Sequence, residues 1–112
     1  MEIEIITTKI DADKLKSFLG KPFPNMVKGV VDVQKKLLAL GGEMHVDAEH
    51  VLLQDGSHQE NLWGINIFPE RNPEERLEYS SLINIRPSQN NRSMDVQSEE
   101  LRTEIKKVID TL

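Results

Sequence analysis

Hydrophobic and polar positions alternate most regularly in two similar stretches, residues 62–69 (LWGINIFP) and 81–87 (SLINIRP). Each stretch carries an Ile-Asn-Ile core that is followed, two residues later, by a proline. Because alternate side chains of a strand leave opposite faces of a sheet, the pattern predicts two strands whose isoleucines face a core. Asn66, Asn84 and Arg86 are then expected on the opposite, polar face. Proline cannot donate to a strand ladder, so each strand is expected to end at its proline.

The first 42 residues predict one strand and two helices. Residues 2–7 alternate and are rich in isoleucine and threonine, which favours a strand. Asp11 is placed to cap a short helix that ends near residue 18. Residues 25–40 carry a wide apolar stripe at helical spacing, and the two glycines that follow are typical of a helix end. We therefore expect a long central helix there.

The remaining segments predict two further strands and a C-terminal helix. Polar and apolar residues alternate over 43–47, and a second short apolar run covers 50–54. The connections from there to residue 87 are too short for helical crossovers, which indicates an antiparallel arrangement. A helix beginning at Asp95 or Ser98 has an apolar stripe that reaches residue 112.

Together these elements predict one α+β domain over residues 1–112. Its order along the chain is β-α-α-β-β-β-β-α, with a mainly antiparallel sheet and helices packed on one face as two layers. The polar face of the sheet would then lie open to solvent.

Composition indicates an ordinary cytoplasmic protein. Hydrophobic residues make up 38% of the 112 residues and charged residues 29%, and there is no cysteine. The first residues are acidic where a signal peptide is basic, and no apolar run approaches the roughly 18 residues of a membrane span. We expect no membrane association.

Charge is unevenly distributed along the chain, although the net charge is only −5. Residues 9–36 hold seven Lys or Arg against three Asp or Glu, whereas residues 43–78 hold two against nine. Such blocks can steer a partner or attract each other within the fold or across a homodimer. A nucleic-acid surface needs clustered cations, so a nucleic-acid partner is not expected.

One candidate site for chemistry is the run Glu43, His45 and Asp47. On a strand these side chains would share a face, and imidazole with carboxylates suits zinc or manganese. The same alternation is also what a solvated strand face looks like. We favour the solvated face and predict neither a metal nor another cofactor.

A second candidate is the polar face that carries Asn66, Asn84 and Arg86, with Arg92 in the loop that follows. Asparagine is depleted in strands, and amides together with arginine could hold an anionic or hydrogen-bonding ligand. The alternative is structural: the two asparagines could pair with each other or bond to a covering loop, and this reading is favoured.

An enzyme is the alternative to a binding protein. A small hydrolase or nuclease-like phosphodiesterase could use His45 and Asp47, with Arg86 or Arg92 stabilising a phosphoryl charge. This hypothesis requires His45, Asp47, Asn66, Asn84 and Arg86 to converge in one cleft.

Several segments resemble one family across nearly the whole chain. They are residues 26–32 (MVKGVVD), 40–47 (LGGEMHVD), 59–64 (QENLWG), 83–87 (INIRP) and 91–94 (NRSM). The chain resembles a family of small prokaryotic proteins that is known only as a domain of unknown function. The resemblance implies no activity, cofactor or catalytic residue. The sequence alone therefore favours a small cytoplasmic binding or interaction protein that uses its polar sheet face for an unknown protein or a small polar or anionic ligand.

Overall fold

The computed structural model describes residues 3–111, which form a five-stranded antiparallel sheet and three helices. The strands are β1 (Ile3–Ile6), β2 (Val27–Asp32), β3 (Leu37–Gly41), β4 (Leu62–Ile67) and β5 (Leu77–Glu78), in the spatial order β1-β3-β2-β4-β5. The helices are α1 (Ala12–Lys16), α2 (His45–Gln54) and α3 (Glu99–Thr111). Three short 3₁₀ turns lie at Gln59–Asn61, Leu82–Asn84 and Pro87–Gln89.

The predicted α+β class and the antiparallel sheet are confirmed, and four elements lie where the sequence placed them. These are β1, α1, β4 and α3. The carboxylate of Asp11 caps α1 by accepting a hydrogen bond from the backbone N–H of Lys14, with 2.7 Å between N and Oδ1. The hydroxyl of Ser98 caps α3 by accepting a hydrogen bond from the backbone N–H of Leu101, with 3.2 Å between N and Oγ. Residues 1, 2 and 112 lie outside the described part of the chain; residue 2 belonged to the predicted first strand and residue 112 to the predicted last helix.

The predicted helix over 25–40 is wrong, because this segment forms the hairpin of β2 and β3. β-Branched valines favour a strand, and Val30 and Val31 are both fully buried, each on a different face of the sheet. Asp32 makes the turn: its buried carboxylate accepts hydrogen bonds from the N–H groups of Gln34 and Lys35. A strand buried on both faces shows no period-two alternation, and its continuous apolar run resembled a wide helical stripe.

The predicted strands over 43–47 and 50–54 are also wrong, because the segment forms α2. The residues that α2 buries are His45, Ala48, Glu49 and Leu52, which follow the i, i+3, i+4, i+7 spacing of a helix face. Two of these four residues are polar. The apolar spacing of this helix was therefore too weak to outweigh the polar–apolar alternation over 43–47, which favoured a strand.

The second Ile-Asn-Ile stretch does not form a strand. It contains the 3₁₀ turn Leu82–Asn84 and only isolated bridges, at Ser80–Asp95 and Arg86–Asn91. Leu82 is 67% exposed, and Ile83 is only half-buried. The observed order is therefore β-α-β-β-α-β-β-α, and not the predicted order.

Helices cover both faces of the sheet, so the predicted two-layer packing with helices on one face is corrected. The larger core cluster joins one sheet face to α3, and its buried members include Val31, Leu38, Ile65, Ile105 and Val108. The smaller cluster joins the opposite face to α2, and its buried members are Val30, Ala39, Ala48, Leu52 and Leu62. Within residues 3–111, none of the helices has the length and apolar character needed to cross a membrane.

Candidate functional site

A row of polar side chains remains on the face covered by α2, beyond the start of that helix. Lys28 of β2 is the register neighbour of Asn66 of β4, and Asn66 is the neighbour of Glu78 of β5. Neighbouring residues in register point to the same face of a sheet. Of the three residues expected on a polar sheet face, only Asn66 lies in this row, which occupies one end of three strands.

The side-chain amide of Asn66 is held in one orientation. Its Nδ2 donates to Oε1 of Glu78 at 3.0 Å and to the carbonyl of Ser80 at 3.4 Å. Both partners can only accept, so the nitrogen must face them and Oδ1 must face the other way. Asn66 is 8% exposed, and its Oδ1 is buried without a hydrogen-bond partner among the described residues.

His45, the first residue of α2, lies beside this amide. Its Nε2 is 2.8 Å from the carbonyl oxygen of Ile65. A carbonyl accepts and cannot donate, so Nε2 carries the proton and Nδ1 of the neutral ring is an acceptor. Burial lowers the pKa of His45, and the charge of Lys28 lowers it further, whereas the Ile65 carbonyl and the Asn66 side chain raise it. The net pKa is below the ordinary histidine value.

A cavity of about 520 Å³ opens over the polar row. The buried side chains of His45 and Asn66 lie at its floor with the half-buried Lys28. The exposed Glu78 lies at its edge, and Ser80 and Ser81 form one wall. Apolar side chains surround the opening: Met44, Val46, Leu82, Ile83 and Met94. Four of them belong to the six large hydrophobic residues that the described chain leaves exposed. We call this site the Asn66 cavity.

Gly64 allows the wall of the Asn66 cavity to approach the sheet. A Cβ atom at this position would lie 2.5 Å from Cβ of Ser81 and 2.7 Å from its Oγ. The same atom would lie 3.2 Å from Cδ2 of His45. Real Cβ atoms essentially never show contacts below 3.0 Å, so the two distances to Ser81 mean that its close packing on β4 requires a glycine.

Asn84 lies outside the cavity and binds the edge of β4. It is fully buried. Its Oδ1 accepts from the N–H of Gly64 at 2.8 Å, and its Nδ2 donates to the carbonyls of Gly64 at 3.0 Å and Met94 at 3.1 Å. The structural interpretation of Asn84 agrees with these contacts, although its partners are Gly64 of β4 and Met94, and not a loop over residues 55–61.

Arg86 is also bound to backbone near β4. Its guanidinium donates to the carbonyls of Gln59 and Leu62 and lies 3.9 Å from the ring centroid of Trp63. Burial lowers the pKa of Arg86, and the negative charge of Glu49 raises it. With 9% of its surface exposed, Arg86 fixes the 3₁₀ turn before β4 to the loop after β5.

The other two predicted site residues, Asp47 and Arg92, lie neither at the Asn66 cavity nor at the edge of β4. Asp47 is half-buried on α2, and Arg92 is exposed, with its backbone N–H bound to the side chain of Gln97. Of the six candidates, the structure brings together only His45 and Asn66 at the Asn66 cavity. In the part of the chain that is described, no three His, Asp or Glu side chains are grouped closely enough to hold a metal ion. Helix α2 replaces the strand that would have aligned Glu43, His45 and Asp47.

Sequence reasoning missed the contribution of Lys28 and Glu78. Lys28 was assigned to a helix and Glu78 to a loop, so neither could be placed beside Asn66. The register of β2, β4 and β5 places both residues beside Asn66. That register could have been predicted only if residues 27–32 had been recognised as a strand. The exposed rim residues Met44, Leu82 and Met94 carried no sequence signal of their own.

Comparison with known families gives one match. The model of a family described as a protein of unknown function (DUF5674) matches residues 4–112. The chain belongs to this family, which agrees with the resemblance found in its motifs. No curated protein and no solved structure gave a significant match. The family carries no assigned activity, and a prokaryotic distribution stays a prediction.

Proposed function

We propose that this protein is a small cytoplasmic binding protein that takes a ligand in the Asn66 cavity, at the open end of its polar sheet face. One observation carries the proposal: Oδ1 of Asn66 is buried at the cavity floor and has no hydrogen-bond donor among the described residues while His45 is neutral. Buried acceptors are nearly always hydrogen-bonded, and an unmade bond costs about 1–3 kcal/mol. A ligand that donates to this oxygen would recover that energy.

The size and lining of the cavity support the same proposal. Its volume of about 520 Å³ falls within the roughly 300–1,000 Å³ typical of small-molecule sites. Those sites combine an apolar lining with a few convergent polar groups. Here the convergent groups come from β2, β4, β5 and α2, and the apolar side chains lie at the rim.

The hydrolase alternative has less support. A phosphodiesterase built on His45 needs a free arginine beside it. The guanidinium of Arg86 is engaged by the carbonyls of Gln59 and Leu62 and does not line the cavity. Lys28 is the cation nearest to His45 among the residues that line the cavity.

A fragment screen followed by nitrogen-15 NMR tests the proposal. Fragments are expected to shift the side-chain amide resonance of Asn66 and the backbone signals of β4 and α2. Leu82→Ser removes an apolar rim side chain that is 67% exposed, so it should weaken the fragments severalfold without destabilising the fold. Leu53→Ser is the matched control, because Leu53 is an exposed leucine of α2 outside the cavity.

Two outcomes contradict the proposal. One is a diverse fragment set that leaves the Asn66 amide unshifted at millimolar concentration. The other is a set of hits that bind Leu82→Ser and Leu53→Ser equally well and shift resonances elsewhere. Either result would mean that the cavity is not a ligand site.

A further inference from the structure

The polar atoms at the base of the Asn66 cavity are mainly acceptors. Oδ1 of Asn66 cannot be exchanged for the amide nitrogen, because Nδ2 is held by Glu78 and Ser80. A second acceptor is the carboxylate of Glu78, which uses one oxygen on Nδ2 of Asn66 and has further lone pairs available. The residue is exposed at the edge of the cavity.

His45 adds a third acceptor next to the first. Its Nε2 proton is committed to the carbonyl of Ile65, which leaves Nδ1 as the acceptor of the neutral ring. Asn66 is close enough to His45 to stabilise its protonated form. In the neutral state, therefore, two acceptors lie side by side, and the described chain supplies no donor to Oδ1 of Asn66. The complement of this arrangement is a group with several N–H donors.

The charges of the cavity favour a cationic donor over an anion. Lys28 and Glu78 are the two lining residues of opposite fixed charge. The ammonium of Lys28 lies 5.2 Å from the ring centroid of Phe23, where a cation–π contact draws it toward a residue outside the cavity lining. The carboxylate of Glu78 is instead bonded to the cavity floor through Asn66. The negative group is thus the one fixed beside the unpartnered acceptor.

From these contacts we propose that the cavity binds a small organic cation, an amidinium, guanidinium or ammonium group on an apolar body. The head group donates to Oδ1 of Asn66 and to the carboxylate of Glu78, and the body lies against Met44, Leu82 and Met94 at the rim. Charge-assisted hydrogen bonds to a carboxylate are the stronger kind and give specificity for planar multi-donor groups. This inference rests on the proposed function, because it assigns a ligand class to the same site.

Benzamidine is the probe, with benzamide and benzoate as its neutral and anionic counterparts of similar shape. Titration followed by nitrogen-15 NMR should show benzamidine binding at the Asn66 amide more tightly than either counterpart. Glu78→Gln should weaken benzamidine about tenfold or more, since a hydrogen bond to a charged group contributes roughly 1.5–3 kcal/mol. Glu75→Gln removes a charge from an exposed loop residue outside the cavity and should leave the affinity unchanged.

An anionic ligand, a neutral ligand and an empty site would each give a different result. Tighter binding of benzoate, abolished in Lys28→Met, would overturn the cationic ligand while leaving the Asn66 cavity as a binding site. Equal binding of benzamidine and benzamide without any response to Glu78→Gln would also overturn it. If neither these probes nor the fragment set shifts the Asn66 amide, the proposed function fails together with the inference.

Discussion

Asn84 and Gly64 are joined by two hydrogen bonds that reproduce the pairing of neighbouring strands. The amide oxygen accepts from the N–H of Gly64 at 2.8 Å, and the amide nitrogen donates to its carbonyl at 3.0 Å. β5 pairs with β4 only at Asn66 and Ile67. The side chain of Asn84 therefore satisfies a part of the β4 edge that no neighbouring strand reaches.

We expect Asn84→Ala to lower the free energy of unfolding by about 2–4 kcal/mol, because it leaves buried N–H and C=O groups without partners. Urea unfolding monitored by circular dichroism measures the change. Asn72→Ala is the control: Asn72 is an exposed loop residue, and its replacement should change stability by less than about 0.5 kcal/mol. A loss in Asn84→Ala no greater than in the control would contradict the strand-like role of this amide.

We expect Gly64→Ala to destabilise the fold by about 1–3 kcal/mol through overpacking, because its Cβ would lie 2.5 Å from Cβ of Ser81. Adding Ser81→Gly should recover part of the loss, so a double-mutant cycle should give a favourable coupling energy. Gly29→Ala is the comparison: its Cβ would meet the side-chain carbons of Leu40 and Leu38 at 3.1 and 3.2 Å, which can move more easily. Additive effects of the Gly64 and Ser81 changes would show that the two residues do not limit each other.

Stability should depend on pH through His45. Burial is the largest cause that lowers its pKa, so below an ordinary histidine pKa of about 6.5 the unfolded chain takes up a proton before the folded chain does. The contribution of neutral His45 to the free energy of unfolding is therefore complete above pH ~6.5. It decreases as the pH falls toward the pKa of His45 in the folded state, and it changes no further below that pKa.

The measurement is urea unfolding between pH 8 and pH 5 for the wild type, His45→Gln and His58→Gln. His58→Gln is the matched control, because His58 is an exposed histidine outside the Asn66 cavity. We expect the stability difference between wild type and His45→Gln to shrink as the pH falls below ~6.5. Parallel curves for these two proteins would show that His45 does not titrate differently in the folded state.

The sequence predicted the elements whose residue types follow a simple period. In β4 the polar Asn66 between Ile65 and Ile67 gives an alternation in sequence, although all six residues of the strand are buried. Helix α3 has a clear apolar stripe, and Asp11 marks the start of α1 by its capping chemistry. The β2–β3 hairpin was missed because side chains on both faces of these strands are buried, so period-two alternation is absent. Helix α2 was missed because its buried face includes His45 and Glu49.

The same errors decided which residues of the candidate site the sequence could predict. His45 and Asn66 were found because a histidine and an asparagine among apolar residues stand out by type. Their neighbours Lys28 and Glu78 meet them only through the register of three strands, which a single sequence does not specify. Arg86 stood out equally well, but its binding to the carbonyls of Gln59 and Leu62 depends on a loop conformation without sequence periodicity.

The side chains that bind the edge of β4 also limit where another chain could pair with that strand. An exposed strand edge offers free N–H and C=O groups to any incoming extended chain, which is how sheets of separate molecules fuse into aggregates. Asn84 and Arg86 occupy such groups at Gly64 and Leu62 with side chains, which cannot themselves template a further strand. An incoming strand therefore cannot pair with β4 at these two residues.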